Sequence, residues 1–360
     1  MSDEVQRVVG LIEETNYGVV PTSGSPAVDS GPDFHMEIED SSIKIEGDPL
    51  KLATGSRGTK IVRPGTYLPS PEHSGVVDLK QIGHYLKGVL GDYEYTAGTP
   101  GSPGTANIHE FWGGEKRKLP SFTLYGHFDE FIKRCQGTII QSISMEVSNE
   151  FLKFTAKCVS QKDTMIKEMP AAAELKTIEG IVPLAFYDVA LEFDGAVPPG
   201  IVSSLKWEVS NDIKTDDAFG IGNSRFMLIK PTAGARTNTL EMEVSLEPET
   251  VKYIEMFEYG EEGASTPSNC KIAKVPIKIT LASICDNPLE KLTIYFPDCM
   301  STVEYSASGS DAIKMKLAPE ALKTTNVELA DGLTEVQADV YCKLENLIPE
   351  IVPGGVDMIE

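Results

Sequence analysis

The sequence is poor in positive charge. Thirty-two lysines and arginines stand against 54 aspartates and glutamates, a formal net charge of −22 over 360 residues. A surface of that sign cannot hold nucleic-acid phosphates by counterion release, so a conventional DNA- or RNA-binding role is not expected. Long apolar runs are missing as well. The opening MSDEVQRVVG carries charges where a signal peptide needs an apolar core. Apolar stretches such as Ile181 to Phe193 contain Asp188 and Glu192, and they fall short of the ~18 to 20 residues of a membrane span. The expected setting is soluble and cytosol-like, with no membrane partner.

Patterns for catalysis and metal binding are also lacking. Cys135, Cys158, Cys270, Cys285, Cys299 and Cys342 form no CxxC pair and have no histidine at zinc-finger spacing, so reduced thiols acting as small hydrophobes are expected. No GxSxG, HExxH, DxDxDG or Walker-type loop occurs. Gly55 to Lys60 (GSRGTK) comes nearest to a phosphate loop, with the wrong spacing and no helix after it. His35, His73, His84, His109 and His127 are dispersed, and His84, beside a helical stripe, is expected to pack and not to act as a base. Asp212, Asp216 and Asp217 could touch calcium, with an exposed turn as the plainer reading. No enzymatic activity and no cofactor are expected.

What the sequence does have is a repeat. Ile143, Met145 and Val147 alternate with Ser144 and Glu146, the chain turns at Ser148-Asn149-Glu150, and Leu152, Phe154, Ala156 and Cys158 alternate with Lys153, Thr155 and Lys157. Period two on both arms predicts a hairpin with one buried face. Val303, Tyr305 and Ala307, a turn at 308–311, and Ile313, Met315 and Leu317 repeat the pattern, at an offset of 160 residues before the turn and 161 after it. A turn one residue longer keeps every apolar side chain on its face.

Upstream, Lys118-Leu119-Pro120 and Lys274-Val275-Pro276 each lead into a strand. Asp78 is expected to cap a short helix with Leu79, Ile82, Leu86 and Val89 on one stripe, and Pro248 opens a second with Val251, Ile254 and Phe257. Each copy therefore reads strand, long loop, strand, helix, strand, hairpin. The expected organisation is an N-terminal arm (1–41), a first domain (42–165) with a Gly/Pro-rich insertion at 91–114, a linker and connecting strand (166–201), a second domain (202–339) and a C-terminal tail (340–360). The apolar segment Val8 to Val20 predicts that the arm crosses to a neighbouring subunit.

One stretch in each copy is basic. Lys51 to Thr66 holds Lys51, Arg57, Lys60 and Arg63; Ile221 to Arg236 holds Arg225, Lys230 and Arg236; neither contains an acid. A solvated loop would account for this. The sharper reading is that these loops reach an acidic face of another copy, because opposite potentials steer and register an interface. Reversing Arg57 and Arg225 to Glu is then expected to leave subunits folded and to block polymerisation.

The segment Glu13-Glu14-Thr15-Asn16-Tyr17-Gly18-Val19-Val20-Pro21 resembles the E-x-T-x-Y-G-x-x-P arm of tailed-bacteriophage tail tube proteins. The order of Gly55-Ser56-Arg57, a strand, Asp78 with its helix, the strand Ser121 to Tyr125 and the hairpin to Asp163 is similar to their tube domain. The resemblance covers most of the chain, in the long form with two domains in tandem, and departs from the family in the 91–114 insertion and in a second copy without an equivalent of Gly65 to His73. It implies two tandem β-sandwiches, each flanked by a short helix, whose inner sheets join edge to edge around a channel. Three chains would form a pseudo-sixfold ring, with a six-chain ring also open. The seven basic residues would form the stacking interface, and an acidic lumen would let DNA slide without specific binding. Partners implied are further copies, tape measure, terminator and tail-tip proteins, and a sheath in contractile forms. A terminator, a tail-tip ring, an inner tube of a contractile injection device, or a monomeric ligand-binding double sandwich are the alternatives.

Overall fold

The computed structural model describes residues 8–23, 28–52, 58, 61–98, 105–128, 130–167, 182–198, 202–222, 224–245, 247–270, 273–283, 289–306, 314–323 and 325–353. Among these residues the chain is mainly β, with two short α-helices. Its first strands are β1 (Val8–Glu13), a ribbon of β2 (Thr22–Ser23) and β3 (Val28–Asp29), β4 (Phe34–Glu37) and β5 (Asp40–Glu46). A hairpin of β6 (Leu50–Leu52) and β7 (Ile61–Arg63) leads to β8 (Leu68–Val76), helix α1 (Gly83–Leu90), β9 (Gly91–Thr96) and β10 (Asn107–Gly113). Then come β11 (Phe122–Phe128), β12 (Phe131–Val147), β13 (Lys153–Val159), β14 (Lys162–Ile166) and β15 (Val189–Phe193). The second half holds β16 (Val202–Lys214), β17 (Thr232–Ser245), α2 (Val251–Ile254), β18 (Val275–Ala282) and β19 (Lys291–Ser306). It ends with β20 (Lys314–Ala321), a ribbon of β21 (Asn326–Glu328) and β22 (Glu335–Gln337), and β23 (Tyr341–Asn346).

The repeat is visible in the ladders. β5, β8, β13 and the C-terminal half of β12 pair side by side, and β16, β17, β20 and the C-terminal half of β19 do the same. Ser41, His73, Ala156 and Ile143 form one row across the first set; Leu205, Met242, Leu317 and Val303 form the matching row across the second. Residue numbers along these rows differ by 164, 169, 161 and 160. The two hairpins thus keep the register that alternation demands. β12 also pairs with β16, setting Ile143 opposite Val209, Met145 opposite Trp207 and Val147 opposite Leu205. This merges both sets into one eight-stranded sheet, ordered β5-β8-β13-β12-β16-β17-β20-β19.

β12 and β19 are long enough to serve a second sheet each. The N-terminal half of β12 pairs with β11 and β14, and β11 continues to β1 and β4. The N-terminal half of β19 pairs with β18 and β23, extended by β15 on one side and by β10 and β9 on the other. An irregularity between Ile140 and Ser142 marks where β12 passes between sheets, as bulges commonly do.

The main core is one cluster running from Val9 to Ile351 and drawing on both repeats. At its centre lies α1, every residue of which is buried. A Cβ on Gly88 would stand 2.4 Å from Cδ1 of Ile140, so glycine is what lets the helix lie against β12. The buried Lys87 donates to Glu13 Oε2 and to the carbonyl of Ile351, both at 2.6 Å, tying the two ends of the described chain to the helix.

Several expectations need correction. The arm does not reach outward from Val8: β1 is buried along its whole length between β4 and β11 of its own chain. The insertion at 91–114 is largely β9 and β10, which extend the outer sheet of the second repeat. The tail at 340–360 contains β23, an interior strand between β10 and β19. The stretch 166–201 includes β15, paired with β18. Each repeat therefore completes its sheets with strands from outside its own boundaries, β1 and β4 for the first and β9, β10, β15 and β23 for the second. The first helix is central and not flanking.

Candidate assembly surfaces

Three surfaces stand out: the polar face of the eight-stranded sheet, its two borders, and the end where the basic loops meet. Alternation sends Ile143, Phe154, Trp207, Met242 and Leu317 into the core and leaves the opposite face polar. That face interleaves lysine and glutamate, with ion pairs Lys44–Glu46 (3.7 Å), Lys157–Glu72 (3.7 Å), Lys206–Glu208 (3.6 Å) and Lys316–Glu241 (3.3 Å). Such exposed pairs add little stability. Their consequence is a face of mixed charge, so the chain's acidic surplus is not concentrated there.

Among the described residues, β5 has no ladder partner on the side away from β8, and residues 300–306 of β19 have none on the side away from β20. These two borders are where the sheet ends. Ile45 is 41% exposed on one and Tyr305 46% exposed on the other. The equivalent positions at the in-chain junction, Val209 and Met145, are buried.

The basic loops project from one end of the sheet. β6 and β7 pair only with each other, and Leu50, Leu52, Ile61 and Val62 are at least half exposed. Lys51 and Arg63 lie on this hairpin and are exposed; Arg57 and Lys60 lie outside the described residues. The second loop is tethered to the first repeat around Arg225 to Met227, while its Ile221, Leu228 and Ile229 stay exposed. Arg225 Nε donates to the carbonyl of Gly65 at 2.8 Å, its guanidinium stands 5.3 Å from the Tyr67 ring centroid, and Tyr67 N–H donates to the Arg225 carbonyl at 2.9 Å. Phe226 meets Tyr67 edge to face at 5.5 Å. The carbonyl of the buried Met227 accepts from Gln161 Nε2 at 2.8 Å.

Lys230 reaches Ser121 Oγ at 3.5 Å, and burial lowers its pKa. Arg236 forms a two-pronged pair with Asp339 (3.0 and 2.9 Å) and also donates to the carbonyl of Gly114. Of the seven basic residues, Lys51 and Arg63 face solvent, while Arg225, Lys230 and Arg236 are engaged within their own chain.

The arm motif has a structural explanation at this same end. Glu14 accepts from the backbone N–H of Gly18 and Gly137, both at 2.8 Å, and from the Thr123 hydroxyl at 2.9 Å. Burial raises the pKa of Glu14, while these donors pull against the rise. Gly137 has φ +62°, and a Cβ there would come within 2.8 Å of the Tyr17 ring. Tyr17 in turn directs its hydroxyl at Sδ of Met227, 4.0 Å away. The motif thus wedges the first strand, the bend in β12 and the second basic loop together.

The opposite end of the sheet carries exposed aromatics. Phe151 sits in the β12–β13 turn at 52% exposure, bridged to Ala185 beside Phe186 and Tyr187, which are about as open. A cleft next to Phe151 is lined by Glu146, Lys153, Lys206, Glu241 and Lys316.

His73, His84 and His109 are packed. His73 bonds the Tyr85 hydroxyl at 2.6 Å, His84 bonds Asp33 at 2.9 Å, and His109 bonds the Tyr93 hydroxyl and the carbonyl of Ile348, both at 3.0 Å. Burial lowers His73 and His109 to about 4. Asp212 pairs with Lys214, and Asp216 and Asp217 occupy a short helical turn. No group of His, Cys, Asp and Glu able to hold a metal ion occurs among the described residues.

Charge marks these loops in the sequence, whereas the exposed apolar residues of β6 and β7 carry no such signal. In a ribbon with solvent on both faces, alternation does not separate an inside from an outside. No family model and no curated protein matches this chain, so the functional reading rests on the sheet, its borders and its two ends.

Proposed function

We propose that the chain is a structural subunit that closes into rings and stacks as a tube, the building block of a tailed-phage tail tube. The observation that carries this reading is the eight-stranded sheet, polar on one face and, among the described residues, without a ladder partner at either border. A long sheet with two open edges is a template for pairing, and a surface that joins head to tail forms a ring wherever its rotation closes. Three chains would set six repeats around the bore, with the polar face turned inward. Stacking is supported by the two ends: Leu50, Leu52, Ile61 and Val62 project from one, and Phe151, Phe186 and Tyr187 from the other. Apolar side chains grouped at opposite poles suit a contact that repeats along an axis.

The mixed lysine and glutamate face revises the acidic lining expected from net charge. DNA would pass a wall of small net charge, which offers few uncompensated cations to hold phosphate. In this reading the chain performs no catalysis and needs no cofactor.

Negative-stain microscopy and sedimentation of the purified protein across concentration test the proposal. Rings and hollow filaments are the expected result. A single closed ring that never lengthens would instead point to a terminator or tip protein. A compact monomer at every concentration would overturn the reading.

A further inference from the structure

The junction inside the chain serves as a template for a junction between chains. β12 and β16 belong to different repeats, and they pair as neighbouring strands of one sheet. The rows fix which residues are equivalent: β12 corresponds to β19 at a difference of 160, and β5 to β16 at a difference of 164. The equivalent of the β12–β16 junction is therefore β19 against β5. Within one chain these strands lie at opposite borders of the sheet.

We infer that β19 of one chain pairs antiparallel with β5 of a second copy, with Val303 opposite Ile45, Glu304 opposite Lys44 and Tyr305 opposite Ile43. The inference rests on the ring-forming reading above and adds its partner surface and register. Two independent features support it.

The first is burial. At the in-chain junction Met145, Trp207 and Val209 are buried. At the borders the matching Tyr305 and Ile45 are 46% and 41% exposed, and Ile43 is half-buried. Covering one border with the other would bury the same row positions in the same way. The second is charge. The register sets the exposed Glu304 beside the exposed Lys44, and a shift of one residue would set apolar against charged side chains throughout. The Lys44 ammonium stands 3.7 Å from Glu46 on the same strand and 76% exposed, so it is available to a cross-strand carboxylate.

Cysteine cross-linking during assembly tests the register. In a background with Cys270→Ser and Cys285→Ser, the pair Ile43→Cys with Tyr305→Cys should give covalent chain-to-chain products on mild oxidation. The shifted pair Ile45→Cys with Tyr305→Cys should give several-fold less. A second test needs no new thiol. Lys44→Glu or Glu304→Lys alone should raise the concentration needed for assembly roughly two- to five-fold, and the double reversal should restore it. Both side chains are exposed, so folding is not at risk.

If rings form but only the shifted pair cross-links, or the double reversal rescues nothing, the register is wrong while the tube reading stands. If the unaltered protein never assembles, both fail.

Discussion

The two repeats hold their long loops in equivalent places and use them differently. In the first, the loop is a free hairpin whose Leu50, Leu52, Ile61 and Val62 face solvent. In the second, the loop is tethered to the first repeat, with Arg225 on Gly65, Phe226 on Tyr67 and Met227 buried, although Ile221, Leu228 and Ile229 remain exposed. The borders differ in the same sense: what β16 covers at the middle of the sheet stays open on β19 and β5. Equal sequence patterns therefore have unequal roles, because in each pair one copy of the element meets a partner that the other copy lacks.

The sharpest contrast is between Trp207 and its row equivalent Ile43. Trp207→Ala empties a fully buried site and should cost roughly 3–5 kcal/mol of subunit stability in urea unfolding, whereas the half-buried Ile43→Ala should cost about 1 kcal/mol. Equal losses in the unassembled subunit would mean that the border is already covered.

A second contrast is between the row equivalents His73 and Met242. Burial lowers His73 from 6.5 to about 4, so between those values the folded state binds fewer protons than the unfolded chain. Stability present above pH 6.5 is thus lost as pH falls toward 4. By pH 5 the loss is about 2 kcal/mol for such a group. Replacing His73 with Met, the residue of the second repeat, should shrink the drop between pH 7 and pH 5 by about that amount. An unchanged drop would locate the acid sensitivity elsewhere.

The loops give the third. Met227→Ala should destabilise the subunit by about 2 kcal/mol, the low end for a buried methionine. Leu52→Ser on the free hairpin should change subunit stability by no more than about 0.5 kcal/mol and yet prevent stacking, read as rings without filaments. The smallest effects concern single charges. Arg225→Glu should cost about 1 kcal/mol through its lost in-chain hydrogen bond. Arg63→Glu should leave unfolding unchanged while raising the concentration needed for filaments. A reversal of that order between Arg225 and Arg63 would exchange the roles assigned to the two loops.

Much of this comparison could be read before any coordinates. The ladders of 142–146 with 153–157 and of 303–306 with 314–317 keep the register that period-two alternation requires. The run from Pro248 is helical, whereas α1 starts only at Gly83 with Ile82 before it, so it takes Leu86 and Val89 of the expected stripe and Asp78 does not cap it. The strand at Val8 is legible from its apolarity but its partner is not, since an apolar pattern says a strand is buried without saying against what. Strands β9, β10 and β23 look like insertion and tail in the sequence because glycine and proline in the adjoining segments mask short strand patterns. Arg236 was counted with the loop charges; its Asp339 partner is 103 residues away, a distance no local pattern spans.

The sequence alone determined that the chain is mainly β, that one hairpin pattern is written twice, and where charge is scarce or crowded. These properties depend on side-chain alternation and composition, both of which are local. Only the tertiary structure decided that the repeats merge into one sheet around one core, which basic loop is free, and which edges are left without partners. Those outcomes depend on long-range pairing, in which a backbone donor or an apolar face is satisfied by whichever distant strand reaches it.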